Sequence, residues 1–85
     1  MTIELYGTAR LRAGRSQCAI DASSVGQALE HLARECPALA GTVILEAKVH
    51  PAFSLSLNGE RFVHDPETPL RADDCLLLIS ADVGG

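Results

Sequence analysis

The strongest structural signal in the chain is the segment SVGQALEHLAREC, residues 24–36. Its apolar side chains recur at spacings of three and four, which places them along one stripe of an α-helix. Ser24 and Gln27, three residues later, form a capping-box pattern at the start. Pro37 disfavours helical geometry at the residue before it, so the helix should end at Cys36. The segment therefore predicts one amphipathic helix with a single apolar face.

Two segments before this helix alternate between apolar and polar residues, as half-buried strands do. The first strand is predicted over residues 2–6 and the second over residues 17–21. Residues 7–16 between them contain two glycines and three arginines. We interpret this stretch as the connection of a hairpin.

The part of the chain that follows the helix is less regular at first. Residues 38–52 show no clean period and carry β-type side chains only at 42–45, so we predict an irregular crossover that could hold a short strand. Residues 53–57 then alternate as a strand does. Asn58-Gly59 predicts a tight hairpin turn, because both residues tolerate a positive φ, and residues 61–64 form the returning strand.

The last strand is predicted over residues 75–80, CLLLIS, which are apolar on both faces and follow an acidic turn at Asp73-Asp74. The order strand, strand, helix and three further strands predicts an α+β fold. In it, the N-terminal hairpin lies beside the C-terminal strand in a mixed sheet of about five strands, and one main helix covers one face. This is the β-grasp (ubiquitin-like) arrangement. The predicted core consists of Ile3, Leu5, Cys18, Ile20, Val25, Leu29, Leu32, Leu55, Leu57, Leu70, Leu76 and Leu78.

The other face of this sheet would carry Tyr6, Leu77 and Ile79. Three sizeable apolar side chains without a second helix to cover them indicate a surface for a partner protein. The alternative is that the long crossover over residues 38–52 folds across them. We favour the partner surface.

Composition limits the class of protein. A chain of 85 residues, 47% of them apolar, has room for one hydrophobic core, and we predict a single domain over residues 1–85 with a flexible tail at 81–85. No apolar run approaches the roughly 20 residues that span a membrane, and no secretory signal is recognisable at the N-terminus. The formal net charge of −4 is unsuited to binding nucleic acid. The three cysteines are widely spaced and are expected as reduced thiols, so a cytoplasmic location is expected.

Residues that could form an enzyme site do not group in the sequence. His31, His50 and His64 lack a Cys or His at metal-ligand spacing, so no metal site is predicted. A glycine-rich phosphate loop and a nucleophile elbow are both missing. Asp73-Asp74 is interpreted as a pair of solvated turn residues. We therefore predict a protein that is not an enzyme.

The end of the sequence offers a different kind of chemistry. The chain closes with SADVGG, residues 80–85, directly after the predicted buried strand. Glycines give a thin arm that can enter a narrow channel in a partner's active site. Its tip, the carboxylate of Gly85, is a poor electrophile until adenylation by ATP converts it to a mixed anhydride. A sulfur nucleophile can open that anhydride to a thiocarboxylate, with the catalytic groups supplied by the partner.

Three stretches together resemble the ubiquitin-like sulfur-carrier family, which includes the small subunit of molybdopterin synthase and the thiamine-pathway carrier. IELYGTARLR, residues 3–12, is similar to the family's opening strand and the segment after it. Asn58-Gly59-Glu60, Thr68-Pro69-Leu70 and Asp73-Asp74 resemble the family's "NGE…TPL…DGD" run. The terminal DVGG, residues 82–85, resembles its Gly-Gly tail.

This resemblance implies that an E1-like enzyme adenylates Gly85, next to Gly84, with ATP and magnesium. A persulfide-bearing sulfur donor would then load the tail, leaving a 1-thioglycine at Gly85. The uncovered sheet face would dock the activating enzyme and a large synthase subunit. The residues expected to contact these partners are Tyr6, Leu77, Ile79, Asp82 and Val83.

The acceptor of the sulfur is left open by the residues, with a molybdopterin precursor as the leading interpretation. Cysteine, thiamine or a secondary metabolite are alternatives within the same carrier chemistry. A ubiquitin-like modifier joined to protein lysines is a third possibility, and a β-grasp interaction module with an inert tail is a fourth. The chain departs from the family at residues 72–74 and 80–82, where ADD and SAD replace a turn glycine and the prolines before the tail.

Overall fold

The computed structural model describes residues 1–80 of the chain. These residues form seven strands and two α-helices, with one short 3₁₀ helix after the second α-helix. In chain order the elements are β1 (Thr2–Leu5), α1 (Gly7–Ala13), β2 (Gln17–Ala19), α2 (Val25–Glu35), the 3₁₀ helix (Pro37–Leu39), β3 (Ile44–Leu45), β4 (Lys48–Val49), β5 (Phe53–Leu57), β6 (Arg61–Val63) and β7 (Cys75–Ser80).

The main sheet has five strands in the order β2-β1-β7-β5-β6. The two central strands, β1 and β7, run parallel, with Ile3 opposite Leu76 and Leu5 opposite Leu78. The other neighbouring pairs are antiparallel. The mixed sheet and the N-terminal hairpin beside the C-terminal strand are therefore present as predicted.

One face of this sheet forms the hydrophobic core together with α2. The apolar stripe of the helix, including Leu29 and Leu32, joins one cluster with the inward side chains of β1, β5 and β7. Every residue predicted for the core is buried. Burial of that many aliphatic side chains is the main favourable term in the stability of a domain of this size.

The limits of α2 follow from local chemistry. The Ser24 hydroxyl accepts the Gln27 N–H at 3.2 Å, as the capping pattern predicts. The Gln27 side chain accepts from both the N–H and the hydroxyl of Ser23, at 3.0 Å each, so the second half of the cap closes one residue earlier than expected. At the other end, Cys36 leaves helical geometry at φ −128° and ψ 79°, directly before Pro37.

Residues 7–16 connect the antiparallel strands β1 and β2, as predicted, but most of them form the helix α1, which was not predicted. The two glycines lie at the ends of the helix instead of in turns. Gly14 ends α1 with a φ of 74°, which a glycine adopts without steric cost, and its N–H donates to the Arg10 carbonyl at 2.9 Å. Ala9 is fully buried in the core cluster and attaches the helix to the domain.

The crossover after α2 is more ordered than its sequence predicts. It contains the 3₁₀ helix and a small hairpin in which Ile44 of β3 pairs with Val49 of β4. Leu39 and Val43 are fully buried in the core cluster. Both short strands contact α2, and β4 also contacts β5. The crossover thus packs beside α2 and extends the core. Within residues 1–80, no helix is long and apolar enough to cross a membrane.

Candidate functional site: the outer face of the sheet

The side of the sheet opposite α2, which we call the outer face, carries Tyr6, Phe62, Leu77 and Ile79. Side chains along a strand point alternately to the two faces, and β7 shows this in full. Leu76 and Leu78 are completely buried, whereas Leu77 and Ile79 are half-buried. The structure therefore places Leu77 and Ile79 away from the core, as the alternation predicted.

Tyr6 extends the outer face at the end of β1. Its backbone N–H donates to the Leu78 carbonyl at 3.0 Å, which holds the residue beside β7. Its hydroxyl donates to the Glu4 carboxylate at 2.5 Å, and this hydrogen bond raises the pKa of Tyr6 above its usual range. Because Glu4 pairs with Leu77 across β1 and β7, Tyr6 lies in one continuous surface with Leu77. Tyr6 is 41% exposed and available for contact.

Phe62 belongs to the same surface and was not predicted. It is 63% exposed on β6 and pairs with Ser56 of β5, which in turn pairs with Leu77. Ser56, between the phenylalanine and the leucine on this face, is only 7% exposed. The sequence does contain a signal for it, because counting through the Asn58-Gly59 turn sets Phe62 opposite the outward-facing Ser56.

A set of hydrogen bonds fixes β7 against the β5–β6 turn. Asn58 and Gly59 adopt φ values of 58° and 71°, as the predicted turn requires. The Asn58 backbone N–H donates to the Cys75 carbonyl at 2.7 Å, and the Asn58 side-chain oxygen accepts the Cys75 N–H at 2.8 Å. The register of β7, and hence the position of Leu77, is thereby set by the residue that also makes the turn.

Asp74 completes this set of hydrogen bonds among Asn58, Cys75 and Asp74, which we call the clip. Its carboxylate accepts the Asn58 side-chain N–H at 3.0 Å and the Arg71 backbone N–H at 2.7 Å. These two hydrogen bonds lower the pKa of Asp74, and the one from Asn58 has the larger effect. Two of the motifs that resemble the sulfur carriers, around residues 58 and 74, are thus joined in space. Their role in the described structure is to hold the turn and β7 together.

The end of β7 lies against the start of α1. Gly7 has a φ of 58°, and a Cβ at this position would lie 3.4 Å from the Cβ of Ser80. A side chain there would be strained by the backbone angle and would contact the strand end. The predicted site residues Asp82, Val83, Gly84 and Gly85 lie outside the described residues. Ser80, the last described residue, lies beside Gly7, which follows Tyr6 in the chain.

Other candidate groups remain apart from this surface. No three His, Cys, Asp or Glu side chains of residues 1–80 group as metal ligands. The His50 ring accepts the Ala52 backbone N–H at 3.0 Å and thereby supports a turn. Arg15 lies 4.0 Å from Glu35, and both side chains are about half exposed. This contact joins α2 to the segment before β2 and adds no site chemistry.

No protein-family model matches the chain, and no curated protein sequence matches it. Solved structures do resemble it. SAMP1 from Haloferax volcanii is 23% identical, with a TM-score of 0.81 over 93% of this chain and 91% of that one. The small archaeal modifier protein 1 of Methanosarcina acetivorans is 20% identical, with a TM-score of 0.80 over 99% and 94%. A chain of the Amycolatopsis orientalis BexX/CysO complex is 17% identical, with a TM-score of 0.82 over 99% and 98%.

These similarities extend over nearly the full length of each chain, and they confirm the predicted β-grasp, ubiquitin-like fold. At such low identities the shared feature is the fold, and fold alone does not define function. The function has to be argued from the outer face and the chain end.

Proposed function

We propose that this chain is a ubiquitin-like sulfur carrier whose working group is the carboxylate of Gly85. The observation that carries the proposal is the outer face, an uncovered apolar surface on the strand that leads directly into the Gly-Gly end. Docking of a partner on Leu77 and Ile79 would bring the root of the arm, at Ser80, to the edge of that partner's active site. A carrier of this kind needs no catalytic residues of its own.

The chemistry would take place in the partner. An E1-like enzyme with ATP and magnesium would join the Gly85 carboxylate to AMP and release pyrophosphate. The terminal sulfur of a persulfide-bearing donor protein would then attack the activated carbonyl, expel AMP and form a C–S bond, which gives an acyl disulfide. A thiol would cleave the S–S bond of that intermediate, which would leave the donor sulfur in a disulfide with the thiol and a thiocarboxylate, a 1-thioglycine, at Gly85. Only a thin arm can reach such a site, which accounts for Gly84 next to the reacting residue.

Tyr6, Leu77 and Ile79 would form the contact with the activating enzyme. Asp82 and Val83, on the arm, would lie within the channel of that enzyme. We add Phe62 to this surface because its exposed ring lies in the same row of the sheet as Leu77. Aromatic residues are enriched among the residues that contribute most to protein–protein binding. The leading acceptor is a molybdopterin precursor, reached through a large synthase subunit in the cytoplasm.

A second candidate function is favoured by the similarity to the two small archaeal modifier proteins. In it, the activated Gly85 would be transferred to an amino group of a target protein instead of to sulfur. The two functions share the activation step and differ in the acceptor. A covalent conjugate with the summed mass of carrier and target would indicate the modifier, and cysteine, thiamine or a secondary metabolite as acceptor would leave the carrier chemistry intact.

Deletion of Gly84 and Gly85 tests the proposal. We expect the shortened chain to fold normally, with an unchanged thermal unfolding curve, because the core is formed within residues 1–80. We expect it to lose all sulfur transfer in a reaction with the activating enzyme, ATP and a sulfur donor. Undiminished transfer by the shortened chain would contradict the proposal, and an inert parent chain would favour a simple interaction module.

A further inference from the structure

Two cysteines that are distant in sequence meet inside the domain. Cys18 lies in β2 and Cys36 ends α2, and their sulfur atoms are 3.9 Å apart. Their side chains are almost completely buried, at 2% and 4% exposure. A disulfide requires the sulfurs to approach to about 2 Å, so the movement needed is small and within reach of side-chain rotation.

The third cysteine cannot compete for this pairing. Cys18 points to the core face of the sheet, since it pairs with the buried Ile3. Cys75 begins β7 and points to the opposite face, because the next residue, Leu76, is the one that turns inward. Only one intramolecular pair is therefore available among the three thiols.

We propose that Cys18 and Cys36 are a reversible redox site that closes into an intramolecular disulfide in the presence of a peroxide. One thiol would attack the peroxide oxygen and become a sulfenic acid, releasing one water. The second thiol would attack that sulfur and release another water. The sum converts two thiols and one hydrogen peroxide into one disulfide and two waters, and a dithiol reductant returns two electrons and two protons.

Burial in the folded domain slows the reaction of the two thiols with oxidants. Burial is the main reason that the pKa of Cys18 is raised to about 11, and the neighbouring Cys36 is the second reason. The thiolate is the reactive form, so little of it is present near neutral pH. Reaction therefore requires β2 to open, and β2 is an edge strand of three residues that pairs on one side only. The site should respond to sustained oxidant more than to brief exposure.

The disulfide would join the edge strand to the end of α2. The Arg15–Glu35 contact already links the same two parts of the chain at their surface. Cys18 and Cys36 are 18 positions apart in the sequence, so the bond would close a loop of that length. Such a loop restricts the conformations of the unfolded chain. The oxidised domain should therefore resist denaturation better than the reduced one. This inference is independent of the proposed sulfur transfer.

The test is to treat the complete, folded protein with hydrogen peroxide and measure its intact mass, followed by peptide mapping without reductant. We expect the loss of two hydrogens, one linked peptide pair containing Cys18 and Cys36, and full reversal by dithiothreitol. The urea midpoint should rise on oxidation. Cys75→Ala serves as the matched control, because it keeps the pair and should show the same mass loss and the same rise.

Cys36→Ala should lose both the linked peptide and the rise in the urea midpoint. If that variant does not fold, the peptide map of the parent chain decides alone. Oxygen additions on single cysteines without a Cys18–Cys36 link would overturn the proposal, as would a dimer joined through Cys75. A parent chain that keeps all three thiols under conditions that oxidise the urea-unfolded chain would overturn it too.

Discussion

On β7, Leu76 and Leu78 are completely buried in the core beneath α2, whereas Leu77 and Ile79 between them are only half-buried on the outer face. All four side chains are large and apolar, yet only Leu76 and Leu78 are fully buried by folding. A strand with one solvated face ordinarily alternates apolar with polar residues. The departure from that pattern on the outer face supports our proposal that its apolar side chains serve to bind a partner.

Substitution of Leu78 should have the largest effect on stability. Leu78→Ala leaves a cavity in a packed core and should lower the free energy of unfolding by about 2–5 kcal/mol. The matched change Leu77→Ala should cost about 1 kcal/mol, because its side chain is only half-buried. Urea denaturation of the two variants measures both values. Equal losses would mean that the two faces are packed alike, contrary to the comparison.

The two faces should also differ in their response to alkali. The pKa of Cys18, on the core face, is raised from 9.0 to about 11, so the folded state holds this proton longer than the unfolded state does. Stability from this group is complete below pH 9 and is lost as the pH rises through 11, by up to about 3 kcal/mol at roughly 1.4 kcal/mol per pH unit.

Unfolding free energies measured from pH 8 to 11 test this. Cys18→Ala should remove most of the alkaline loss. Cys75→Ala on the outer face should remove less, since burial raises the pKa of Cys75 by a smaller amount. A larger effect of Cys75→Ala than of Cys18→Ala would be inconsistent with the assignment of Cys18 to the core.

Charge placed on the outer face should weaken binding without unfolding the domain. Ile79→Lys should raise the Kd for the activating enzyme at least about tenfold, or about 1.4 kcal/mol, because an ammonium group would be buried in the contact. Leu11→Lys is the matched control, since Leu11 is an apolar residue that is 83% exposed and belongs to α1 instead of the sheet. Equal affinities of Ile79→Lys and the parent in a titration would remove this face from the interface.

The smallest expected effect concerns the clip that positions the outer face. The pKa of Asp74 is lowered, so the stability it contributes is present above its unfolded pKa near 3.8 and is lost as the pH falls through its folded value. Asp74→Asn should lower the urea midpoint slightly at pH 7 and flatten its decline in acid. The neighbouring Asp73→Asn should leave both unchanged, and identical behaviour of the two variants would argue against the clip.

Local patterns predicted most of the core face. The period of α2, the alternation of the strands and the Asn58-Gly59 turn each depend on neighbours in the sequence, and all are present. The position of Leu77 and Ile79 followed from the same alternation. Alternation alone did not place Phe62 on the outer face. That placement also requires the register of β5 and β6 across the Asn58-Gly59 turn.

The features that were missed depend on contacts between distant residues. α1 buries a single side chain, Ala9, so its sequence carries no apolar stripe to mark a helix. The order within residues 38–52 comes from the burial of Leu39 and Val43 in the core cluster. The approach of Cys18 to Cys36 is set by how β2 meets the end of the helix, which no spacing in the sequence encodes.

The most direct test of the central claim is the intact mass of the chain after incubation with its activating enzyme, ATP and a sulfur donor, under conditions that preserve thioacids. The account predicts a gain that corresponds to one sulfur in place of one oxygen, located at Gly85 by fragmentation, and absent when ATP is omitted. A Gly85 carboxylate that stays unmodified with a competent enzyme and donor would contradict it.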